Sequence, residues 1–305
     1  MIVKGDLVTR ISYQHDLLFR VQSVKEDRVL LFGEDFRLEA DARISDLKKV
    51  TGEEYRAHKK KVKVQEDYSY RLFRQDYQLL KEKRDHESTD GFKFENNYFQ
   101  IAPRVLHVDG DQLFLKKCIQ LYQQLGIQVH GTHMGEKEMP IQIGALIERI
   151  QPDIVVITGH DSFSKHKGSV RDLRAYRHSQ YFVDTVREIR SKASHLDQLV
   201  IFAGACQSHF ESLIKAGANY ASSPQRINIH ALDPVYIVAR IAYTSFMDKV
   251  NVREVLRNTL TGEEGLGGVE TRGLLRVGMP FRSLEILEKK ENEENDKEED
   301  TNSKV

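Results

Sequence analysis

Short apolar runs separated by turn signals mark the first fifty residues. The strings Asp6-Leu7-Val8-Thr9, Leu17-Leu18-Phe19-Arg20-Val21, Arg28-Val29-Leu30-Leu31-Phe32-Gly33 and Phe36-Arg37-Leu38-Glu39-Ala40 each have the length of a short strand. Four or five strands at this spacing predict a small antiparallel barrel of SH3-like type. From residue 51 the pattern changes. Charges of both signs crowd the chain, while Tyr70, Phe73, Tyr77 and Leu80 recur at three- and four-residue spacing, the apolar stripe of an amphipathic helix. This stretch reads as a charged helical connector that closes in a loop at Ser88-Thr89-Asp90-Gly91. Its basic run, His58-Lys59-Lys60-Lys61, reads as a solvated face.

Beyond residue 100 the pattern is a strand–helix alternation. Strands are predicted at Pro103–Asp109, Ile127–His130, Asp153–Thr158, Leu199–Ala203 and Tyr220–Pro224. Helices are predicted from about Asp111 to Leu125, Pro140 to Ile150, Ser179 to Ala193, His209 to Gly217 and Asp233 to Phe246. Gly126 is a normal glycine stop, and Pro234 suits a first helical turn. The third and fourth strands are unbroken apolar runs, as a parallel strand buried on both faces requires. Strands alternating with helices give a doubly wound, mostly parallel α/β sheet. The division expected is a β-barrel module over 1–50, the connector over 51–98, an α/β domain over 99–285 and a disordered acidic tail over 286–305, where apolar side chains almost vanish.

Composition narrows the function classes. Lys+Arg and Asp+Glu are both 46 among 305 residues, a balance that argues against a protein built to coat nucleic acid or an anionic membrane. The start has no apolar signal-peptide core, and no apolar run reaches the length of a membrane span. A soluble chain made in the cytoplasm is the expectation. Two cysteines, Cys118 and Cys206, make neither a zinc ribbon nor a disulfide framework, so a reducing compartment fits. No cofactor is implied: the first strand leads only into Asp109-Gly110-Asp111, without a dinucleotide-binding glycine pattern. No convincing metal site stands out.

In an open α/β sheet, ligands bind beyond the carboxyl ends of the strands. Two chemically able side chains fall there: His160 after the third strand and Cys206 after the fourth. Consecutive parallel strands usually lie side by side, about 4.8 Å apart, so imidazole and thiol can meet across the strand tops. A histidine and a following helix start both favour the thiolate, and a helix is expected just after Cys206. The small residues Ala203, Gly204 and Ala205 leave room for a substrate carbonyl. The N–H of Cys206, with one near Gly159 or Asp161, would form an oxyanion hole. Cys118 shares a helix face with Phe114, Leu121 and Leu125 and reads as core. His230 is the rival base. The order Cys206, His230, Asp233 would suit a glutaminase-like amidohydrolase, although Gly204-Ala205-Cys206-Gln207-Ser208 lacks the second glycine of a nucleophile elbow. A non-enzymatic coat or scaffold protein is the third reading.

The strings Val155-Val156-Ile157-Thr158-Gly159-His160-Asp161 and Ile201-Phe202-Ala203-Gly204-Ala205-Cys206-Gln207-Ser208, the Lys4-Gly5-Asp6 start and Ser223-Pro224-Gln225-Arg226-Ile227-Asn228-Ile229-His230 resemble the YabG family of sporulation-specific peptidases. The layout also resembles the wider caspase, clostripain and gingipain clan, in which the catalytic His and Cys follow adjacent strands. The resemblance implies a cysteine endopeptidase of the mother-cell cytoplasm that associates with the spore coat and processes coat and other spore proteins at Arg-containing sites. Neither membrane nor nucleic-acid partners are implied. The clan's glycine after the histidine is here Asp161, which leaves open which N–H, at Gly159 or elsewhere, joins that of Cys206. A preference for Arg needs an acidic pocket, for which Asp161 and Asp233 are the candidates, with Asp172 a further one by position.

Overall fold

The computed structural model describes residues 2–89 and 99–278. The segment expected to be an acidic tail, and Asp90 and Gly91 of the expected connector loop, lie outside these residues. Five strands open the chain: β1 (Leu7–Arg10), β2 (Phe19–Lys25), β3 (Arg28–Gly33), β4 (Glu39–Arg43) and β5 (Leu47–Lys49). They form one antiparallel sheet in the order β4-β3-β2-β1-β5. A register shift between Val21 and Ser23 bends β2. The alternating side chains Val8, Phe19, Val21, Val29 and Leu31 are buried, as a one-face strand pattern requires.

The fourth strand starts later than the sequence pattern predicts. Phe36, Arg37 and Leu38 leave the sheet and run as a separate extended segment, hereafter the strap, and β4 begins at Glu39. Gly33 makes the turn into it, because a Cβ there would lie 2.4 Å from the Phe36 carbonyl oxygen. The strap makes isolated bridges to the rest of the chain, antiparallel at Phe36–His230 and parallel at Leu38–Asp161.

Helix α1 (Gly52–Thr89) continues through the Ser88 and Thr89 that were expected to be loop. It is more than a connector. Phe73 is 2% exposed and its ring meets Tyr77, Tyr236 and Tyr243. Asp76 accepts hydrogen bonds from Arg257 and Asn258. The basic run is only partly solvated, since His58 and Lys59 pair with Asp35.

After β6 (Phe99–Ile101), the second sheet is built from β7 (Val105–Asp109), α2 (Gln112–Gln124), β8 (Val129–His133), α3 (Met139–Ile150), β9 (Ile154–Thr158), α4 (Ser179–Lys192), β10 (Val200–Ala203), α5 (Phe210–Ala216) and β11 (Tyr220–Ser222). Then come α6 (Asp233–Tyr243), β12 (Lys249–Val250), α7 (Val252–Leu256), β13 (Leu266–Gly268), β14 (Thr271–Arg272) and β15 (Arg276–Gly278). The sheet order is β13-β11-β10-β9-β7-β8, parallel except for β13. This is a mixed α/β architecture. On one face Val156, Phe202 and Tyr220 pack with residues of α2, α6 and the first sheet. On the other, Val155, Ile157 and Ile201 pack with α3, α4 and α5. Among the described residues no helix is long and apolar enough to cross a membrane.

Truncating Phe73 to alanine should cost about 3–5 kcal/mol, because it opens a cavity where α1 meets α6. The exposed Tyr68→Ala, on the same helix, should change stability by less than about 0.5 kcal/mol. Urea unfolding of the two variants measures the difference.

Candidate active site

Strands β9 and β10 are neighbours in register, with Ile157 opposite Ala203. Their carboxyl ends therefore bring the loops carrying His160 and Cys206 to the same edge. Gly204 turns the chain off β10 at φ +115°, where a Cβ would meet Ser222 Oγ at 2.3 Å. Gln207, directly after the cysteine, is held at φ +57°. That is an uncommon left-handed conformation for a residue with a side chain, and such residues cluster at functional sites. Three bonds fix it. Its N–H donates to Ile227 O (3.1 Å), its Oε1 accepts from Phe163 N–H (3.1 Å), and its Nε2 donates to Asn228 Oδ1 (3.2 Å). The first helix after Cys206 starts at Phe210 with His209 as its cap, at the start predicted near His209 and four residues beyond the thiol.

Cys206 is fully buried. Its thiol donates to Ile229 O (3.5 Å) and accepts from Ile229 N–H (3.2 Å). Burial pushes the thiol well above its usual range, outweighing the Ile229 bond and the nearby Arg37 charge. His160 is fully buried as well. Its ring stacks on Phe32 at 3.8 Å and lies tilted on Phe114. Neither ring nitrogen has a hydrogen-bond partner, although Nε2 lies 3.4 Å from Asp111 Oδ2. Burial lowers the affinity of this imidazole for a proton, against the pull of Asp111, Glu136 and Asp109. In this state the thiol bonds neither His160 nor His230. The rival His230 accepts from Leu232 N–H at Nδ1 (3.3 Å), its Nε2 lies 3.6 Å from Glu66, and burial pushes its pKa down to about 4.

The strap crosses this edge. The Arg37 carbonyl accepts from both Cys206 N–H (3.1 Å) and Asp161 N–H (3.3 Å), and Arg37 N–H donates to Ile229 O (3.4 Å). Two of the amides singled out in the sequence thus converge on one peptide oxygen. Gly159 precedes them, and its Cα is crowded by Glu136, whose Oε1 accepts from His160 N–H (2.8 Å).

The Arg37 side chain is 0% exposed. Nη1 donates to both oxygens of Asp109 (2.9 and 2.8 Å), and Nη2 donates to Ala231 O (3.0 Å). Nη2 also reaches Cys118 Sγ at 3.5 Å. Asp109 ends β7. It is held far below the usual carboxylate range because Arg37, His107 and the Asp111 amide outweigh a large burial penalty. His107, Asp109 and Cys118 present donor atoms within 4.8 Å of one another, as a metal site would, but the guanidinium already bonds two of the three. Burial pushes the Cys118 thiol up to about 12.

Neither expected acidic-pocket residue bonds a guanidinium. Asp161 accepts from the amides of Ser162 (2.9 Å) and His178 (2.8 Å) and from the hydroxyls of Ser179 (2.5 Å) and Ser208 (2.9 Å). It ties the loops after β9 and β10 together. Asp233 accepts from His230 N–H (3.1 Å), Leu260 N–H (2.7 Å) and the Thr261 hydroxyl, and burial raises its pKa to about 6. Asp172 caps a short turn through Arg174 N–H. Sequence reasoning missed Asp109 and Arg37. Asp109 carried the same signal as His160, a polar residue at the carboxyl end of an apolar strand. Arg37 carried none.

A cleft of about 820 Å³ opens beside this edge, with Leu38, Ser162, Phe163, Gln207, Arg226 and Asn228 among its walls.

The sequence profile of the YabG peptidase U57 family matches residues 3–280. The chain is 54% identical over 284 residues to the "Sporulation-specific protease YabG" of Bacillus subtilis (strain 168), an alignment that covers 92% of this chain and 98% of that protein. No solved structure shows a significant match.

His230 sets a pH dependence for stability. Its folded pKa of about 4 lies below that of an unfolded histidine, about 6.5. Between those values the unfolded chain binds the extra proton, so stability from this site is complete above about pH 6.5 and falls as the pH drops toward 4. His230→Gln should therefore lose about 2–3 kcal/mol less than wild type between pH 7 and 4.5. Urea midpoints at the two pH values measure it, and equal losses in both proteins would contradict it.

Proposed function

Because the chain belongs to the YabG peptidase U57 family, we propose that its peptidase activity is that of a cysteine endopeptidase with Cys206 as nucleophile and His160 as base. The observation that carries the reading is the convergence of Cys206 N–H and Asp161 N–H on a single peptide carbonyl, the arrangement an oxyanion hole needs. It stands beside a buried thiol and a buried imidazole whose two nitrogens have no other hydrogen-bond partner.

In the reaction, the thiol exchanges its bond to Ile229 for one to His160, which takes the proton. The thiolate adds to the peptide carbonyl, and the two amides hold the oxygen as it gains charge. The imidazolium, faced by Asp111, protonates the departing amine. Water, deprotonated by the same imidazole, then releases the acyl group. Asp111 and Glu136 favour the charged ring, and the stacked Phe32 holds it in place. The strand order, with the two residues after adjacent parallel strands, supports a caspase-like layout with an SH3-like barrel at the amino end.

The relative from Bacillus subtilis is named a sporulation-specific protease, and we extend that role to this chain. The substrates we infer are spore coat and other spore proteins cut at Arg-containing sites, met by an enzyme made in the mother-cell cytoplasm that associates with the coat.

Cys206→Ala should abolish cleavage of a coat-protein substrate while leaving the fold intact. His160→Ala should lower the rate by roughly 10²–10⁴-fold, whereas His230→Ala should leave it within about tenfold. Mass spectrometry of the products reads all three. Cleavage that survives Cys206→Ala would remove the thiol from the mechanism, and a larger loss at His230 than at His160 would favour the amidohydrolase arrangement.

A further inference from the structure

We propose that Asp109 is the carboxylate that receives the arginine side chain of a substrate, and that Arg37 is the chain's own occupant of that pocket. The proposal rests on the peptidase reading of Cys206 and His160, and deepens it by naming the residue that sets specificity.

Two independent features of Arg37 lead there. The first is its backbone. The strap is extended, bridged antiparallel to the loop after β11 and parallel to the loop after β9. A peptide laid into a cleft commonly binds in this way, through main-chain hydrogen bonds. Its residue 37 donates its N–H to Ile229 O and places its carbonyl on the Cys206 and Asp161 amides. That is the position of the residue preceding a bond to be cut. The second is the side chain. From that same residue it enters a closed pocket whose floor is Asp109, whose wall is the Ala231 carbonyl and whose face is the Phe114 ring, 5.2 Å from the guanidinium carbon.

The pocket is selective on chemical grounds. A guanidinium spans Asp109 and the Ala231 carbonyl at once, which a single ammonium group cannot do with the same geometry. A neutral side chain would leave the Asp109 carboxylate buried and unpaired. A purely structural cross-link would explain the side-chain pair but not the carbonyl on the Cys206 amide. It would also leave Arg37 Nε without a reason for its missing partner.

The strap is held in place by charge on both sides. Asp35 pairs with His58, Lys59 and Lys117 before it, and Glu39 with Arg177 and His178 after it. With the strap seated, the cleft is filled at the residue that matters most. With Arg37 in place the enzyme is therefore latent, and a substrate arginine must displace Arg37 to reach Asp109.

The test uses the full-length protein with Arg37→Ala, Arg37→Met and the pair Arg37→Ala/Asp109→Asn, which leaves no unpaired buried charge. Agmatine is the probe of the pocket, with butylamine as control, and binding is read by calorimetry and thermal shift. Arg37→Ala, or the more space-filling Arg37→Met if alanine does not fold, should bind agmatine at least about tenfold more tightly than either wild type or the pair, and more tightly than butylamine. Peptides identical except for Arg or citrulline before the scissile bond read specificity. Freeing the pocket should raise the initial rate on the Arg peptide at least about tenfold, and the pair should lose roughly 100-fold of the Arg-over-citrulline preference. Folded Arg37 variants that bind no agmatine, or a pair that keeps its Arg preference, would overturn the proposal. Agmatine binding that depends on Asp109, without any Cys206-dependent cleavage, would uphold the pocket and sink the peptidase reading instead.

Discussion

A guanidinium with no exposure to water must find its partners inside the protein, and Arg37 finds them on the other sheet. Its pairing with Asp109 fixes the amino-terminal sheet against the carboxyl edge of the parallel one. Removing one member of such a pair typically costs about 3–5 kcal/mol, because the other is left charged and buried. Much else follows from that anchor. Phe36–Leu38 cannot stay in the first sheet, β4 starts late, and Phe32 at the end of β3 comes to lie on the His160 ring. The Arg37 carbonyl is carried onto the Cys206 amide. A long-range ion pair 72 residues apart in sequence thus determines what stands over the edge that carries Cys206 and His160.

The same burial sets the chemistry of the resting site. Cys206, His160 and His230 are all closed off from water, and each is pushed toward its uncharged form. A thiolate–imidazolium pair is disfavoured in such surroundings until solvent or substrate polarity returns. Asp161 and Asp233, which stabilise the loops around the site through amide and hydroxyl donors, belong to the frame that keeps those loops in place. The charged groups of α1 contribute from outside, through His58 and Lys59 on Asp35. The helix is thus part of the clamp over the site as well as of the core at Phe73.

Local patterns in the sequence carry the parallel sheet well. The apolar runs at Ile154–Thr158 and Val200–Ala203 and the helix caps at Asp111 and Gly126 are local signals, and β9 and β10 lie side by side as the crossover rule requires. Where the sequence misleads, a distant partner decides. Phe36–Ala40 has a strand pattern, but Asp109 pulls Arg37 away. Asp233 is an acidic-pocket candidate by its position, but it lies in the first turn of α6 and ties down Leu260 and Thr261. The residues that surround the Arg37 guanidinium, Asp109 and Phe114 on one side and Ala231 on the other, have no periodicity that links them. Only the fold brings them together.

The most direct measurement is a crystal structure of the full-length protein with a peptide argininal, whose aldehyde carbon takes the Cys206 sulfur while the thiol proton passes to its oxygen. The inhibitor's guanidinium should lie on Asp109 and its oxygen on the Cys206 and Asp161 amides, with residues 36–38 lifted from the cleft. An argininal bound to Cys206 with its side chain elsewhere, and Arg37 still on Asp109, would contradict that placement.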